Sequence, residues 1–542
     1  MKGVILSGGK ADQSICQVFG DVPTALIPVN GKPIIFHVIS GLIELGISEV
    51  YITVGFQKDK IINYVEKNQK FIGLKIQYVE VDELKKPGVS LLNAFSAISG
   101  GGEVFVSLAD TLCKLPDSIS FEKDFVVGSK EFKKDHLWAI ANVNAENCLN
   151  TISDKKKNNT NTDFALIGIY FFKDIDVFNQ YQQTDSKKNF EISSLLEFYN
   201  YNRKIAVIEA TEWLDFGHIE RYQIAKKRLL EAREFNSLSF DDLIGTITKR
   251  SSINKKFVAE IKWLISLPKS LMVLAPRVID YSLDEKDAFV TMEYYSYQTM
   301  AEIWLFSEFS TKTLKAIIDK VYSVLMLFAK EKRIVPKKDY NVVYIEKTIY
   351  RIKKLISLNN PTFNTFLYGD SDGFVTINGQ KLKPWSVIRS EIIDLLSRLY
   401  DDDHNCLIHG DFCFSNVLYN INGGIVRLID PRGIWGSSCN GDIKYDLAKL
   451  RHSIVGDYDF IVNDFFTVNY INGNFSYEVP INENQLSVKK YFDDKVSSFT
   501  TLSNIKLIEG ILFLSMVPLH SNSETRQLAM LCKAIEKLNS LI

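Results

Sequence analysis

A stretch from Leu407 to Gly433, LIHGDFCFSNVLYNINGGIVRLIDPRG, concentrates side chains that could do chemistry. Asp411 follows a His-Gly pair, Asn416 comes five residues later, and Asp430 ends a short apolar run. Transfer of a phosphoryl group needs a carboxylate beside the attacking hydroxyl and oxygen ligands for magnesium. The types and spacing of these residues favour that chemistry over a chance His-Gly-Asp turn between two strands.

This stretch resembles the catalytic segment of the aminoglycoside phosphotransferase and choline kinase family. The pattern of that family is HGDxxxxN, followed by a short hairpin and a hydrophobic strand that ends in Asp. The resemblance implies that Asp411 orients the acceptor hydroxyl and accepts its proton. It also implies that Asn416 and Asp430 hold magnesium, the amide with a neutral oxygen and the carboxylate with a charged one.

Other residues near this segment have implied roles that are not catalytic. The resemblance makes His409 structural, and it makes Asp446, in GDIKYDLAKL, an acid that braces the catalytic loop. The sequence departs from choline kinases at Pro431 and Arg432, where those enzymes usually carry an aromatic residue and an acid. An arginine at this place hints at an anionic or polyol substrate.

Upstream, the same family needs a strand lysine for the ATP phosphates and a helix acid that positions it. In ITKRSSINKKFVAEIKWL, Lys249 ends a predicted strand and Glu260 lies on the next helix. Arg250 and Lys262 are rival assignments. The run VTMEYYS, which contains Glu293, stands where the hinge that receives adenine belongs. The resemblance therefore implies ATP as a substrate and Mg²⁺ as a cofactor.

The first residues of the chain, VILSGGKADQSICQVFGDVPTALIPVNGKPIIFHVI, place two glycines directly after a short strand. A glycine loop in this position can lay backbone amides along a triphosphate. The segment resembles sugar-phosphate nucleotidyltransferases, which begin with a strand, a GGxGxR loop and PKxLxPVxGKPxI. The resemblance implies that Gly8 and Gly9 bind a nucleotide, and that Asp110 and Asp215 bind the magnesium that bridges nucleotide and sugar phosphate.

Three loop positions depart from that family pattern. Ala11 stands at the third glycine, Gln13 at the arginine, and Thr24 at the lysine of the Pro-Lys pair. Removing one preorganised charge from a transition state typically costs on the order of 10² to 10³ in rate. Lys10 and Lys32 are the predicted substitutes. An active nucleotidyltransferase and a degenerate, purely binding domain both stay open.

The order of apolar segments predicts the elements that must position these residues. Short strands alternate with helical stretches at first, which is typical of βαβ units. With the resemblance, this predicts an α/β nucleotidyltransferase domain, with a Rossmann-like mixed sheet, over residues 1–235. A helix from Ile219 to Phe235 closes it, and the lysine and asparagine run between Asp154 and Asp163 is interpreted as a solvated loop. Residues 236–542 are predicted to form an α+β, protein-kinase-like bilobal domain, with a small lobe over about 236–300 and a helical lobe over about 301–542.

Length and composition exclude several classes of protein. A chain of 542 residues is too long for one hydrophobic core, so two large domains are expected. With 64 basic and 65 acidic side chains there is no overall field for a polyanion, which argues against a nucleic-acid binder. Seven scattered cysteines without a CxxC pair indicate a reducing compartment. We expect a cytoplasmic protein without a signal peptide or a membrane span, and a homo-oligomer is compatible with the sequence.

The combined architecture resembles bacterial fusion proteins of surface-polysaccharide and capsule biosynthesis. It implies a bifunctional enzyme that phosphorylates a sugar, polyol or amino alcohol with ATP and joins the phosphate to a second NTP. The alternative is a kinase whose N-terminal domain is a degenerate regulator that binds a nucleotide or nucleotide-sugar.

Overall fold

The computed structural model describes most of the chain, and its contacts divide the chain into two compact units. The N-terminal unit comprises Met1–Glu66, Phe71–Leu230 and Phe306–Glu308, and the C-terminal unit comprises Lys67–Lys70, Glu231–Leu305 and Phe309–Ile542. The predicted loop at 155–162 and the predicted helix end at 231–235 lie outside the described residues, and the boundary near Asn236 stays a prediction. The described residues are 1–131, 138–154, 163–184, 190–230, 236–251, 254–471 and 473–542.

The N-terminal unit alternates strands and helices, as the sequence predicts. Its elements are β1 (Lys2–Leu6), α1 (Gln13–Phe19), β2 (Pro28–Val29), β3 (Lys32–Pro33), α2 (Ile34–Glu44), β4 (Glu49–Val54), α3 (Lys58–Glu66), β5 (Lys75–Glu80), α4 (Pro87–Ala97), β6 (Val104–Leu108), β7 (Thr111–Lys114), β8 (Phe125–Ser129), β9 (Ala139–Val143), β10 (Leu149–Asp154), β11 (Asp163–Phe172), α5 (Phe178–Thr184), α6 (Ile192–Asn202), β12 (Ala206–Glu209), β13 (Glu212–Asp215) and α7 (Ile219–Arg228).

Nine of these strands form one mixed sheet, which confirms the predicted fold of this unit. The strand order is β10-β9-β11-β6-β1-β4-β5, and β8 pairs with β11 and with β12. Strand β1 runs parallel to β4 and β6, whereas β11 runs antiparallel to β6. The parallel strands are continuous apolar runs because both of their faces are covered, and Val4, Ile52 and Val106 are fully buried. This arrangement brings the carboxyl ends of β1 and β6 to the same edge of the sheet.

The C-terminal unit has the two predicted lobes. Its small lobe is an antiparallel sheet in the order β14-β15-β17-β16 with one helix, and the helices follow in the large lobe. Its elements are β14 (Asn236–Asp241), β15 (Thr246–Ser251), α8 (Asn254–Ile265), β16 (Val278–Ser282), β17 (Ala288–Glu293), β18 (Gln298–Thr299), α9 (Met300–Phe306), α10 (Thr311–Lys330), α11 (Lys337–Tyr340), a π-helical turn (Asn341–Glu346), α12 (Lys347–Ile356), α13 (Pro361–Tyr368), β19 (Val375–Ile377), β20 (Gln380–Leu382), α14 (Trp385–Ser397), β21 (Asn405–Leu407), β22 (Val417–Asn420), β23 (Ile425–Leu428), β24 (Asn440–Asp442), α15 (Ile443–Ile454), α16 (Tyr458–Val462), β25 (Thr467–Ile471), β26 (Asn474–Glu478), α17 (Glu483–Ser497), α18 (Leu502–Met516) and α19 (Glu524–Asn539).

One apolar helix of the large lobe differs from the sequence expectation. Leu502–His520, which contains α18, has a mean hydropathy of 1.5 and is long enough to cross a membrane, although the sequence analysis expected no such run. Its apolar window is 72% buried, and Glu509 at its centre forms ion pairs with Arg451 and Lys537. A mostly buried core helix passes the same test of length and composition. The helix is therefore weak evidence for a membrane span.

Candidate active sites

The loop between β21 and β22 carries Asp411 and is held by the first turn of α15. The backbone N–H groups of His409 and Gly410 donate to the two carboxylate oxygens of Asp446, at 2.7 and 2.9 Å. Burial raises the pKa of Asp446 to about 7, although these two N–H groups oppose the shift. Asp446 therefore braces the loop, as the sequence analysis predicts.

His409 is a buried, neutral part of the same loop. Burial lowers the pKa of its imidazole to about 4. Its Nε2 lies 3.1 Å from the carbonyl oxygen of Ile429, and the backbone N–H of Asp411 donates to its Nδ1 at 3.3 Å. A neutral ring with its proton on Nε2 satisfies both contacts. His409 thus positions the backbone of Asp411, in agreement with its predicted structural role.

Asp411 is the carboxylate that this loop presents, and a lysine unforeseen in the sequence analysis lies beside it. The Nζ of Lys449 is 2.9 Å from Oδ1 of Asp411, and the amide of Asn416 donates to Oδ2 at 3.1 Å. Burial raises the pKa of Asp411, but Lys449 outweighs it and holds that pKa well below its usual range. The Asp411 side chain is 37% exposed, so an ionised and accessible carboxylate results.

The predicted lysine and helix acid meet at the second carboxylate of the catalytic segment. Nζ of Lys249 lies 2.7 Å from Glu260 and 2.9 Å from Asp430. Burial alone would lower the pKa of Lys249, but the Asp430 and Glu260 carboxylates outweigh burial and the pKa is raised. The rival Arg250 pairs instead with Asp287 at the surface, and the rival Lys262 is exposed.

The backbone around Asp430 is shaped for this contact. Asp430 has a φ of 52°, in the left-handed region that an aspartate adopts rarely and that is common at functional sites. Gly433 has a φ of 71°, and a Cβ there would lie 2.4 Å from the carbonyl oxygen of Ala259 on α8. Only glycine allows the segment after Asp430 to pass so close to the helix that carries Glu260.

The predicted hinge residue, Glu293, ends strand β17. Its carboxylate accepts a hydrogen bond from the hydroxyl of Tyr295 at 2.7 Å. The neighbouring Tyr294 donates its backbone N–H to the carbonyl of Gly245 at 2.9 Å. Strand β17 also pairs with the strand of Lys249, which lies opposite Val290. Glu293 is thus on the same small sheet as the lysine, at the end that leads into the helical lobe.

The oxygen donors of this unit fit a magnesium ion. The NH₂ group of Asn416 is used on the backbone carbonyl and the carboxylate of Asp411, which leaves its amide oxygen as a ligand. Asp430 supplies the charged oxygen. Among the described residues no group of three His, Cys, Asp or Glu side chains could hold a metal. Two hard oxygen ligands are nevertheless typical of magnesium, which usually keeps waters and substrate phosphates.

In the N-terminal unit, the glycine loop is fastened by backbone contacts on both sides. The carbonyl of Gly8 accepts the N–H of Phe56 at 2.9 Å, and a Cβ on Gly8 would lie 2.5 Å from a methyl of Val81. The carbonyl of Gly9 accepts the N–H of Thr24 at 3.1 Å and its hydroxyl at 3.3 Å. Thr24, which replaces the family's lysine, therefore holds the loop through neutral hydrogen bonds.

Asp110 and Asp215 are brought together by two short strands. Asp215 ends β13 opposite Thr111 of β7, and the N–H of Phe216 donates to the carbonyl of Asp110 at 3.0 Å. Burial, and then the charge of Asp215, raise the pKa of Asp110 to about 6. A half-buried and a buried carboxylate of like charge favour a cation between them. Their chemistry fits the magnesium that the sequence resemblance implies.

A cation that the sequence analysis did not predict lies beside these carboxylates. Nε of Arg221 is 3.1 Å from Oδ2 of Asp215, and its guanidinium lies 4.2 Å from the ring centre of Trp213. The predicted substitutes contact other groups: Lys10 pairs with Asp21 at 2.9 Å, and the Lys32 ammonium lies 3.9 Å from the ring centre of Phe36. The position of Arg221 in the first turn of α7, three residues after the last residue of DFGH, is the sequence signal that could have identified it.

Comparison with known proteins covers most of the first unit and part of the second. A family described as "Nucleotidyl transferase" matches residues 2–232, and one described as "Phosphotransferase enzyme family" matches residues 375–474. The chain is 26% identical over 228 residues to "Bifunctional protein GlmU" of Methanococcus maripaludis, covering 40% of this chain and 52% of that relative. It is 24% identical over 243 residues to "UTP--glucose-1-phosphate uridylyltransferase AglF" of Haloferax volcanii, covering 43% and 97%.

A solved structure, of a putative glucose-1-phosphate thymidylyltransferase from Bacillus anthracis in complex with a sucrose, is 20% identical, with a TM-score of 0.37. It is matched over 43% of this chain and 96% of that one. The chain spans about half the length of the GlmU relatives it matches. The matches thus identify a nucleotidyl transferase domain within the first unit and a phosphotransferase segment within the second.

Proposed function

We propose that the chain phosphorylates a small hydroxyl compound with ATP and then couples the new phosphate to a second nucleoside triphosphate. The observation that carries this proposal is the contact of Lys249 with Glu260 and Asp430 in a phosphotransferase domain that is fused to a nucleotidyl transferase domain. The order of the two steps follows from chemistry, because nucleotidyl transfer needs a phosphate as its nucleophile.

In the first step, the acceptor oxygen attacks the γ-phosphorus of ATP while Asp411 takes the hydroxyl proton. A new P–O bond forms, the bond between the γ-phosphorus and the bridging oxygen breaks, and ADP leaves. Lys249 binds the ATP phosphates, and Glu260 fixes its position. Lys449 keeps Asp411 ionised, so its carboxylate can accept a hydrogen bond from the acceptor hydroxyl and orient it. Magnesium held by Asn416 and Asp430 would neutralise charge on the transferring phosphate.

In the second step, a phosphate oxygen of the product attacks the α-phosphorus of the second nucleotide, and pyrophosphate leaves. The backbone of Gly8 and Gly9 lines the triphosphate. Asp110 and Asp215 would hold a second magnesium, which would neutralise charge on the reacting phosphates. Arg221 supplies a positive charge beside Asp215.

The class of product is part of the proposal. The names of the relatives include a uridylyltransferase of glucose 1-phosphate, and the second unit would supply a phosphate of this kind. We therefore propose an activated building block for surface polysaccharide, starting from a sugar, polyol or amino alcohol. A cytoplasmic location belongs to the same proposal, because ATP and the other nucleotides are available there.

A second candidate function is a kinase with a regulatory N-terminal domain. The neutral residues Gln13 and Thr24 favour this alternative, because neither supplies a charge for the phosphates. The hydroxyl of Thr24 donates a hydrogen bond to the carbonyl of Gly9. In that case the N-terminal unit binds a nucleotide or nucleotide-sugar without releasing pyrophosphate.

The test is a two-stage phosphorus NMR experiment on the intact chain. In the first stage, ATP, magnesium and a panel of sugars, polyols and amino alcohols are screened for a new phosphate ester. In the second stage, each reaction that gives an ester receives CTP, GTP, UTP or dTTP in turn, and pyrophosphate is measured. We expect an ester with at least one acceptor and pyrophosphate with one nucleotide. An ester without pyrophosphate for any nucleotide favours the regulatory alternative, and no ester contradicts the kinase assignment.

A further inference from the structure

Two positively charged side chains donate to the hydroxyl of Tyr445 in the helical lobe, and a third lies on the same helix as one of them. The guanidinium of Arg432 donates to this hydroxyl at 2.9 Å, and Nζ of Lys347 donates to it at 3.3 Å. Arg351 lies one helical turn beyond Lys347 on α12 and donates to the carbonyl of Ser515 at 3.1 Å. We call Lys347, Arg351 and Arg432 the basic cluster.

The basic cluster differs from the other buried cations of its unit in its charge partners. Within the described ranges of the chain, none of its three members forms an ion pair with a carboxylate, and their side chains are half-buried. Deeper cations of the same unit do have such partners. Arg451 pairs with Asp493 and Glu509, and other pairs join Lys533 to Asp457 and Arg526 to Asp464.

The arrangement is electrostatically unfavourable as it stands. Burial, together with the charges of Arg432 and Lys449, lowers the pKa of Lys347 to about 8 against the opposing effect of Tyr445. Burial raises the pKa of Tyr445, but Lys347, Arg432 and Lys449 outweigh it and bring that pKa to about 8. Like charges four residues apart on a helix, such as Lys347 and Arg351, repel each other. An anion bound among these groups would remove the repulsion.

The basic cluster lies near Asp411, the carboxylate proposed to accept the proton of the acceptor hydroxyl. Tyr445 and Lys449 are four residues apart on α15, and Lys449 is the ion-pair partner of Asp411. The backbone N–H of Arg432 donates to the carbonyl of His409 at 2.9 Å, in the same catalytic loop. The helix that presents Lys347 begins directly after a π-helical turn, a distortion that occurs frequently at functional sites.

The cluster is built from the helical lobe alone, whereas Lys249, proposed to bind the ATP phosphates, stands on the small-lobe sheet. We infer that the acceptor phosphorylated by this domain carries an anionic group, a carboxylate or a phosphate, that binds Arg432, Lys347 and Arg351. This inference rests on the proposed kinase function and narrows its substrate class. Sugar acids, hydroxy acids and sugar phosphates fit the cluster, whereas amino alcohols would bring a positive charge into it. Guanidinium groups suit this role because their planar forks match both carboxylate and phosphate oxygens.

The test compares acceptors that differ only in the charged group. Glycerol, glycerate and glycerol 3-phosphate form one set, glucose, glucuronate and glucose 6-phosphate form another, and ethanolamine serves as the cationic acceptor. Formation of ADP by the full chain gives kcat/KM for each compound. We expect an anionic member to exceed its neutral partner by about 10- to 100-fold, the effect of one or more charge-assisted hydrogen bonds. The carboxylate and phosphate arms show which anion is preferred.

Substitutions test whether the cluster causes the preference. Arg432→Gln and Lys347→Gln should raise KM for the anionic acceptor by about 10-fold or more, with a smaller change in kcat. Arg432→Lys should retain part of the binding. The matched control is Lys354→Gln, an exposed lysine on the same helix α12, which should behave like the wild type.

Direct binding separates failure of this inference from failure of the proposed function. Calorimetric titration of the same compounds into the wild type and Arg432→Gln, with a non-hydrolysable ATP analogue, needs no turnover. If no compound is phosphorylated, the proposed kinase function fails, and anion binding that Arg432→Gln abolishes would still support the cluster. A neutral or cationic acceptor used as well as its anionic counterparts would overturn the inference. Absence of anion binding to the wild type would overturn it as well.

Discussion

The two candidate sites of this chain use opposite electrostatic arrangements. In the C-terminal unit every proposed catalytic charge has a partner, since Lys249 lies between Glu260 and Asp430, and Asp411 pairs with Lys449. In the N-terminal unit, the glycine loop is held by neutral hydrogen bonds, and the carboxylates Asp110 and Asp215 have one neighbouring arginine.

The difference shows that the glycine loop can keep its backbone shape while it loses the charged side chains of the family pattern. The glycine loop keeps its close packing because Gly8 leaves no room for a side chain. The charges that the family pattern places on that loop are nevertheless replaced by Gln13 and Thr24. A recognisable fold therefore supports the nucleotide-binding assignment of the N-terminal unit more strongly than it supports its catalytic power.

The largest effect is expected when the proposed base of the phosphotransferase site is replaced. Asp411→Asn should lower the turnover of phosphorylation by about 10²- to 10⁴-fold, because a positioned base contributes that much. Binding of magnesium and ATP should survive, since Lys249, Asn416 and Asp430 remain. Steady-state ADP formation and calorimetric ATP binding measure the two effects. Near-wild-type turnover would contradict the assignment, and exposed Asp403→Asn is the control.

Replacing a carboxylate of the N-terminal site should slow nucleotidyl transfer and leave phosphorylation unchanged. Asp110→Asn should lower pyrophosphate release by about 10²- to 10³-fold, since one charge that stabilises the transition state is lost. ADP formation by the kinase should not change. An enzyme-coupled pyrophosphate assay with the phosphorylated acceptor measures the first rate. Exposed Asp117→Asn serves as the control, and an equal fall in ADP formation would show that the two sites are not independent.

Loss of the acid that positions Lys249 should have a smaller effect. Glu260→Gln removes one of the two carboxylates on Lys249 while Asp430 remains, so kcat/KM for ATP should fall by about 10- to 100-fold. ATP titrations at saturating acceptor give this ratio. Lys256→Gln, exposed on the same helix, should leave it unchanged. An unchanged ratio for Glu260→Gln would favour one of the rival assignments.

Restoring the family residues on the glycine loop should change the rate by less. Gln13→Arg together with Thr24→Lys removes the hydroxyl bond from Thr24 to Gly9, and a neutral hydrogen bond contributes about 1 kcal/mol. Because Arg221 already supplies a cation near Asp215, we expect pyrophosphate release to fall by about fivefold. A gain in rate would instead show an impaired site in which Arg221 does not replace the missing charges.

Separation of the two units should have the smallest effect. Residues 1–232 and 236–542 are predicted to fold as independent fragments, because each contains its own hydrophobic core. Each fragment should keep the activity of its own site. Circular dichroism, thermal unfolding and the two assays measure this. An insoluble or inactive C-terminal fragment would show that the boundary near Asn236 is misplaced.

Local patterns predicted the residues that lie within one segment or in a family order along the chain. HGDFCFSN predicts Asp411 and Asn416 as a pair, and the strand-helix order predicts the pairing of Lys249 with Glu260; the structure places both pairs in contact. Asp446 could be predicted as a brace because it opens a helix with a recognisable start.

Residues whose role depends on long-range packing were not predicted. Lys449 lies one turn after Asp446, and the sequence gives no sign that it faces Asp411 rather than solvent. Lys347 is about 100 residues from Tyr445, so only the packing of α12 against the large lobe brings them together. The length of the apolar segment around Glu509 was underestimated in the sequence analysis. The acid interrupts the apolar residues, so the segment looks like two shorter runs.

The close passage of Gly433 past α8 has a consequence for regulation. Many kinases are switched off when the helix that carries the glutamate swings away and breaks its pair with the lysine. Here such a swing would have to carry Ala259 and Glu260 away from a backbone that fits against them within van der Waals distance. Such a swing would therefore lose the packing of the helix against this backbone, and we expect that loss to oppose an on-off movement of the helix.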